Sequence, residues 1–198
     1  MNKLLNNLIF SVLASSVMLL LSVESTAQWT KSSGPHSTAC RVLIQNDGIV
    51  YAGTYGGVFK STDTAKTWTA VNTGLTDLEI GALLFKGTTL YAGTGANGLY
   101  SSTDGGTSWS KVGTTNFNRI NALATDGTRL YLGAGGGMYV STDNGITWIN
   151  PTSLIGDVRN IQIVGTTIYA GTFGNYLYKS TNNGTTWTVI DKLNNGLT

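Results

Sequence analysis

The sequence predicts an all-β protein, a β-propeller of about four four-stranded blades. Three observations predict it. Charged residues make up only 11% of the 198 residues, while Gly occurs 26 times, Pro twice, and aromatics reach 10%. Abundant Thr and aromatics favour strands and Gly favours turns, which argues against a helical bundle and against a disordered chain. All five Trp fall on one lattice, Trp29, Trp68, Trp109, Trp148 and Trp187, at spacings of 39, 41, 39 and 39. The same short runs recur in phase with these Trp, and a period near 40 with four short strands per unit marks propeller blades.

The chain opens on a segment that reads as a secretory signal peptide over 1–27. Lys3 supplies the positive start, Leu8 to Val23 the apolar stretch, and Ser25-Thr26-Ala27 the small residues before cleavage. The apolar run is short for a membrane span and no basic cluster follows it, so the mature chain, from Gln28, is expected to be secreted (extracellular or periplasmic), with no membrane span. Residues 28–198 then divide into a lone strand at 29–33 and blades near 38–72, 77–113, 118–152 and 157–191.

Each blade begins with an apolar strand: Val42-Leu43-Ile44, Ile80 to Phe85, Ile120 to Ala124 and Val158 to Ile163. A tight turn leads to a second strand with a near-constant centre, Tyr51-Ala52-Gly53-Thr54, Tyr91-Ala92-Gly93-Thr94, Tyr131-Leu132-Gly133-Ala134 and Tyr169-Ala170-Gly171-Thr172. The Tyr of this column is expected in the core, because it returns in every blade. A Gly-rich loop leads to a third strand, and a polar turn and the Trp strand close the unit. The runs are too short for helices and are bounded by turn residues.

The polar turn is the sharpest motif. It reads Ser61-Thr-Asp63-Thr-Ala65-Lys-Thr-Trp68, Ser102-Thr-Asp104-Gly-Gly106-Thr-Ser-Trp109, Ser141-Thr-Asp143-Asn-Gly145-Ile-Thr-Trp148 and Ser180-Thr-Asn182-Asn-Gly184-Thr-Thr-Trp187. The Asp or Asn oxygen can accept turn N–H groups, Gly can take a positive φ, and the Trp can bury its face against the neighbouring sheet. Ala65 is expected to be strained if that φ is positive. One carboxylate per turn falls far short of the oxygens that calcium needs, so the turn is read as a structural clasp.

This pattern, S-x-D-x-G-x-x-W, resembles the Asp-box or BNR repeat, in four phased copies that cover essentially all of 29–198. Two copies are complete; Ala65 and Asn182 depart from it. The resemblance implies a propeller of the sialidase-like, sortilin-like or photosystem II assembly factor-like kind, with the box turns away from the functional face. The number of blades is expected to be four, as a small closed ring or as an open arc cut from a larger ring, with the arc favoured and self-association expected if the ring is incomplete.

By the same resemblance, the functional face carries the loops leading into each blade and those between its second and third strands. These hold His36, Asp77, Glu79, Asn118 and Asn175, and the ligand-binding candidates Tyr55, Phe117, Arg119, Asp157, Arg159, Phe173 and Tyr176. Aromatics with a few charges suit a sugar or a peptide. Loop packing is the plainer reading of Tyr55 and Phe173. Arg41, Arg119 and Arg159, near the first-strand starts, could line an anionic pocket or be solvated loop ends.

Twelve Lys and Arg against ten Asp and Glu give a net charge of +2, without the basic footprint of a nucleic-acid binder. One Cys and one His exclude a Cys/His zinc cluster and an internal disulfide, and no cofactor or metal is expected. Cys40, alone in an oxidising compartment, is expected to be either buried or an intermolecular thiol, with burial favoured by its place between a loop and an apolar strand. Gly133-Ala-Gly135-Gly-Gly137 has no helix after it, so it is not read as a phosphate cradle.

Three functional classes follow. A secreted non-catalytic propeller that binds glycan or protein fits the uniform repeats and short loops. A fragment of a sialidase-like or xyloglucanase-like glycoside hydrolase is the alternative; the four Arg lack the F/Y-R-I-P segment of sialidases, and only Asp77, Glu79 and Asp157 could pair as carboxylates. A protein-complex assembly factor is the third, though Lys and Arg are sparse and scattered.

Overall fold

The computed structural model describes residues 34, 39–151, 156–174 and 176–192. The segment 1–27, the strand at 29–33, Trp29, His36 and Asn175 lie outside the described residues. Those described form the predicted all-β architecture in four sheets. Blade 1 holds β1 (Cys40–Asn46), β2 (Ile49–Thr54), β3 (Gly57–Ser61) and β4 (Thr69–Ala70). Blade 2 holds β5 (Ile80–Lys86), β6 (Thr89–Thr94), β7 (Leu99–Ser102) and β8 (Ser110–Val112). Blade 3 holds β9 (Ile120–Thr125), β10 (Leu130–Ala134) and β11 (Gly137–Ser141). Blade 4 holds β12 (Asp157–Val164), β13 (Thr167–Phe173), β14 (Tyr176–Ser180) and β15 (Thr188–Lys192).

All pairings are antiparallel and follow chain order. Blade 3 departs from the expected four strands: its outer position is reduced to a single bridge, Val140 with Ile149. Pro151 follows two residues later, and a residue without an N–H cannot extend the ladder.

Successive blades pack face to face. β1 lies against β5, β5 against β9 and β9 against β12, whereas no comparable packing joins β12 to β1 among the described residues. One apolar cluster fills each joint. Tyr51 and Val58 meet Ile80, Leu83, Leu90, Tyr100 and Trp109 between blades 1 and 2. Tyr91 and Leu99 meet Ile120, Leu130 and Leu132 in the next joint, and Tyr131 and Met138 meet Val158, Ile161, Ile168, Tyr178 and Trp187 in the last.

The glycine of the second strand makes each joint tight. A β-carbon built on Gly53 would stand 2.7 Å from Ile80 Cγ2, and one on Gly133 would stand 2.5 Å from Val158 Cγ1. Gly93 meets Ile120 more closely still. The bare backbone is therefore a seat for the first apolar side chain of the following blade.

Trp109 and Trp187 are buried, and Trp109 Nε1 donates to Val71 O of the preceding blade at 2.8 Å. Trp148 is half-buried, edge-on to Phe117, and Trp68 is half-buried as well, with no described blade before it. Tyr51, Tyr91 and Tyr131 are buried as the column predicts, while Tyr169 at the far end is only half-buried. Cys40 is exposed rather than buried, because it sits on the face of blade 1 that no described blade covers.

Each polar turn is closed by hydrogen bonds of its own side chains. Ser61, Ser102, Ser141 and Ser180 donate to Oδ1 of Asp63, Asp104, Asp143 and Asn182 at 2.7–2.9 Å. Their Oγ atoms accept the N–H of Ala65, Gly106, Gly145 and Gly184. Each Oδ1 also accepts the N–H of the residue before Trp, namely Thr67, Ser108, Thr147 or Thr186. In three turns Oδ2 accepts that residue's hydroxyl, at 2.6–2.7 Å. Asn182 keeps this contact by reversing it, its Nδ2 donating to Thr186 Oγ1 at 2.8 Å. The Thr67 N–H and hydroxyl, then Ser61, hold the Asp63 carboxyl down at about 2.

Ala65 adopts φ 66°, where the other turns have Gly106, Gly145 and Gly184 at 80–90°. An L-residue there is strained by about 1 kcal/mol. Ala65→Gly is expected to stabilise the protein by up to about 1 kcal/mol, and Gly106→Ala to destabilise it by a similar or larger amount. Urea denaturation midpoints check this, and an unchanged midpoint for both variants would contradict the left-handed turn.

Candidate functional site

The strand order places the tight turns and the Ser-x-Asp turns at one end of the blades. The loops leading into each blade and those after each second strand lie at the other end. At that second end every first strand carries one unpaired residue. The register slips between Cys40 and Val42, Ile80 and Ala82, Ile120 and Ala122, and Val158 and Asn160. The bulged residues are therefore Arg41, Gly81, Asn121 and Arg159. A bulge re-aims a side chain, and all four line one axial cavity of about 220 Å³.

Flanking residues pair with the bulges across the blades. Glu79 Oε1 accepts from Arg41 at 3.0 Å and from Arg119 at 2.7 Å, tying blades 1, 2 and 3 together. Asp157 is ion-paired with Arg159 and accepts from Asn121 Nδ2 at 2.7 Å. Arg119 is held at φ 52°, its N–H donating to Gly95 O of blade 2 at 2.9 Å. A left-handed non-glycine residue is costly, and such strain concentrates at functional sites.

Above this layer lies an open cleft of about 480 Å³. Gly95 and Gly135, where blades 1 and 4 carry Tyr55 and Phe173, leave it room. Asp77, Glu79, Arg119, Asp157, Arg159 and the amides of Asn97 and Asn118 give it a polar lining. Asp77 accepts the N–H groups of Ala96, Asn97 and Glu79 at 2.7–3.2 Å. Partial burial pushes its pKa up, but these donors outweigh it and the net shift is down. A general acid needs the opposite shift. Glu79 and Asp157 are each held by guanidinium groups. This arrangement can offer fixed donors and acceptors to hydroxyl groups.

The structure thus brings Arg119, Asp157 and Arg159 together in one cleft, along with Asp77 and Glu79. The two aromatics stand at its flanks. The Arg159 guanidinium lies 5.3 Å from the centre of the Phe173 ring, and Phe173 is 75% exposed. Arg41 lies at the same distance over Tyr55, which is 48% exposed. Phe117 does not belong to the site. It is only 4% exposed and lies edge-on to Tyr139 and Trp148, because the loop leading into blade 3 folds it into the joint between blades. Tyr176 is half-buried against Tyr178, away from the cleft lining. Sequence reasoning missed the bulge at Asn121 and the floor formed by Gly95 and Gly135.

Among the described residues no cluster of three or more His, Cys, Asp or Glu is placed to hold a metal ion, and no helix is long and apolar enough to cross a membrane.

The blades define a β-propeller protein. The chain belongs to the family of DUF6242 β-propeller domains, whose profile matches residues 4–118. It is also 35% identical over 101 residues to a xyloglucanase of Hypocrea jecorina (strain QM6a), over 45% of this chain and 12% of that protein. The extracellular domain of BT4673 from B. thetaiotaomicron superposes with a TM-score of 0.70 at 18% identity, over 83% of this chain and 23% of that one. The GH74 xyloglucanase from Xanthomonas campestris superposes with a TM-score of 0.60 at 18% identity, over 72% of this chain and 28% of that one. The chain thus spans about an eighth of the curated relative and about a quarter of these two solved chains.

Glu79→Gln removes the charge that two guanidinium groups share. It is expected to lower stability by about 1–2 kcal/mol, read from urea denaturation at low salt. An unchanged midpoint would mean that the three-blade ion pairing carries no energy.

Proposed function

We propose that this chain is an exported, non-catalytic propeller that binds a neutral glycan of the xyloglucan type in its loop-face cleft. One observation carries the reading: the carboxylates of the cleft are already engaged, Glu79 and Asp157 with guanidinium groups and Asp77 with backbone N–H groups. Such a lining presents fixed donors and acceptors suited to hydroxyl groups. The exposed Phe173 ring beside Arg159 offers a stacking surface at the rim. The match to a xyloglucanase supports the choice of glycan, and the extracellular neighbour supports export. The four Ser-x-Asp turns support kinship with the Asp-box propellers.

A second reading, a portion of a glycoside hydrolase, is favoured by that same xyloglucanase match, with Asp77, Glu79 and Asp157 as the available carboxylates.

Calorimetric titration of the full chain with xyloglucan oligosaccharides tests the proposal, with reducing ends assayed in parallel. Saturable binding is expected, weakened about tenfold (about 1.4 kcal/mol) by Phe173→Ala or Arg159→Ala, with no release of reducing ends. Turnover abolished by Asp157→Asn would establish the second reading, and the absence of binding would overturn the first. Expressed with its own leader, the exported protein is expected to begin at Gln28, and an intact leader on the product would contradict export.

A further inference from the structure

Each joint between blades is made from the same two faces. The trailing face offers the second-strand Tyr, the bare glycine and an apolar third-strand residue. The leading face offers the first residue of the first strand, a Leu or Ile three positions on, and the third-strand aromatic with its Trp. The two ends of the described blades leave one face of each kind uncovered. On blade 4, a β-carbon built on Gly171 meets nothing of another blade, only Asn160 Cβ of its own sheet at 3.9 Å. Tyr169 and Leu177, the counterparts of Tyr131 and Met138, are half-buried, and Ile190, the counterpart of Val71 and Val112, is exposed.

On blade 1, Cys40 stands where Ile80, Ile120 and Val158 stand in the other blades, and it is exposed. Leu43, the counterpart of Leu83, is 61% exposed where Leu83 is 4% exposed. Phe59 and Trp68 complete this leading face and are half-buried.

We propose that the trailing face of blade 4 docks on the leading face of blade 1 in a second copy of this chain, with Cys40 seated over Gly171. The interface continues the packing found between successive blades, and the complementary halves are both carried by this chain. Cys is a small apolar side chain suited to the glycine seat. The contact is head-to-tail, so each copy offers one surface of each kind.

Sedimentation or light scattering of the full chain at tens of micromolar is expected to give at least twice the mass of one chain. Leu43→Asp, at a position already exposed, is expected to return it to the mass of one chain. Gly171→Cys supplies a thiol opposite Cys40 at a position without positive φ. On oxidation, a non-reducing gel is expected to show chains linked in pairs or longer series, and Cys40→Ser in the Gly171→Cys background is expected to abolish this. A single-chain mass at every concentration would overturn the proposal. So would a Cys40-dependent cross-link confined within one chain, or association that persists with Leu43→Asp.

Discussion

The structure depends on one repeated contact, a β-branched side chain seated on a bare strand glycine of the preceding blade. Ile80 over Gly53, Ile120 over Gly93 and Val158 over Gly133 let the sheets approach closely. The Tyr, Leu and Trp side chains can then close around each joint and exclude water. Because each seat is formed by the blade before, no sheet buries its apolar face alone, and stability is shared along the series of joints. This also explains why the same residue types are buried within the series and more exposed at its ends.

The loop face and its cleft follow from a second repeated feature. The extra residue in every first strand turns Arg41, Gly81, Asn121 and Arg159 towards the axis, directly beneath the loops. Glu79 and Asp157 then find guanidinium partners across blade boundaries or beside them. The lining is charged in composition, and its Glu79, Asp157, Arg41, Arg119 and Arg159 groups are paired with one another. Arg119, fixed in a left-handed conformation by its bond to Gly95, joins the scaffold to the cleft.

Much of the fold was legible because its signals are local and repeated: the Trp lattice, the Tyr-Ala-Gly strand and the Ser-x-Asp turn each return in register. Even the strain at Ala65 could be read from the glycines in its sister turns. The strand glycine was visible as a recurring residue, but its use as a seat for the next blade appeared only once the blades were packed together. The bulges were not legible, since a slip of register exists only between paired strands. Phe117 misled because an aromatic in a loop carries no mark of which way the loop turns, and here it turns under Trp148. Cys40 misled for a related reason: its position is an interior one in every blade with a described blade before it. The shortened outer strand of blade 3 had a visible cause in Pro151, whose weight emerged only beside its complete sister blades.

A double-mutant cycle between Gly93 and Ile120 tests the central contact most directly. Gly93→Ala crowds the seat and is expected to cost about 2–3 kcal/mol, and Ile120→Ala empties it at about 3 kcal/mol. Together they should cost at least about 1 kcal/mol less than the sum, because the added methyl occupies the vacated space. Strict additivity of the two unfolding free energies would contradict the account.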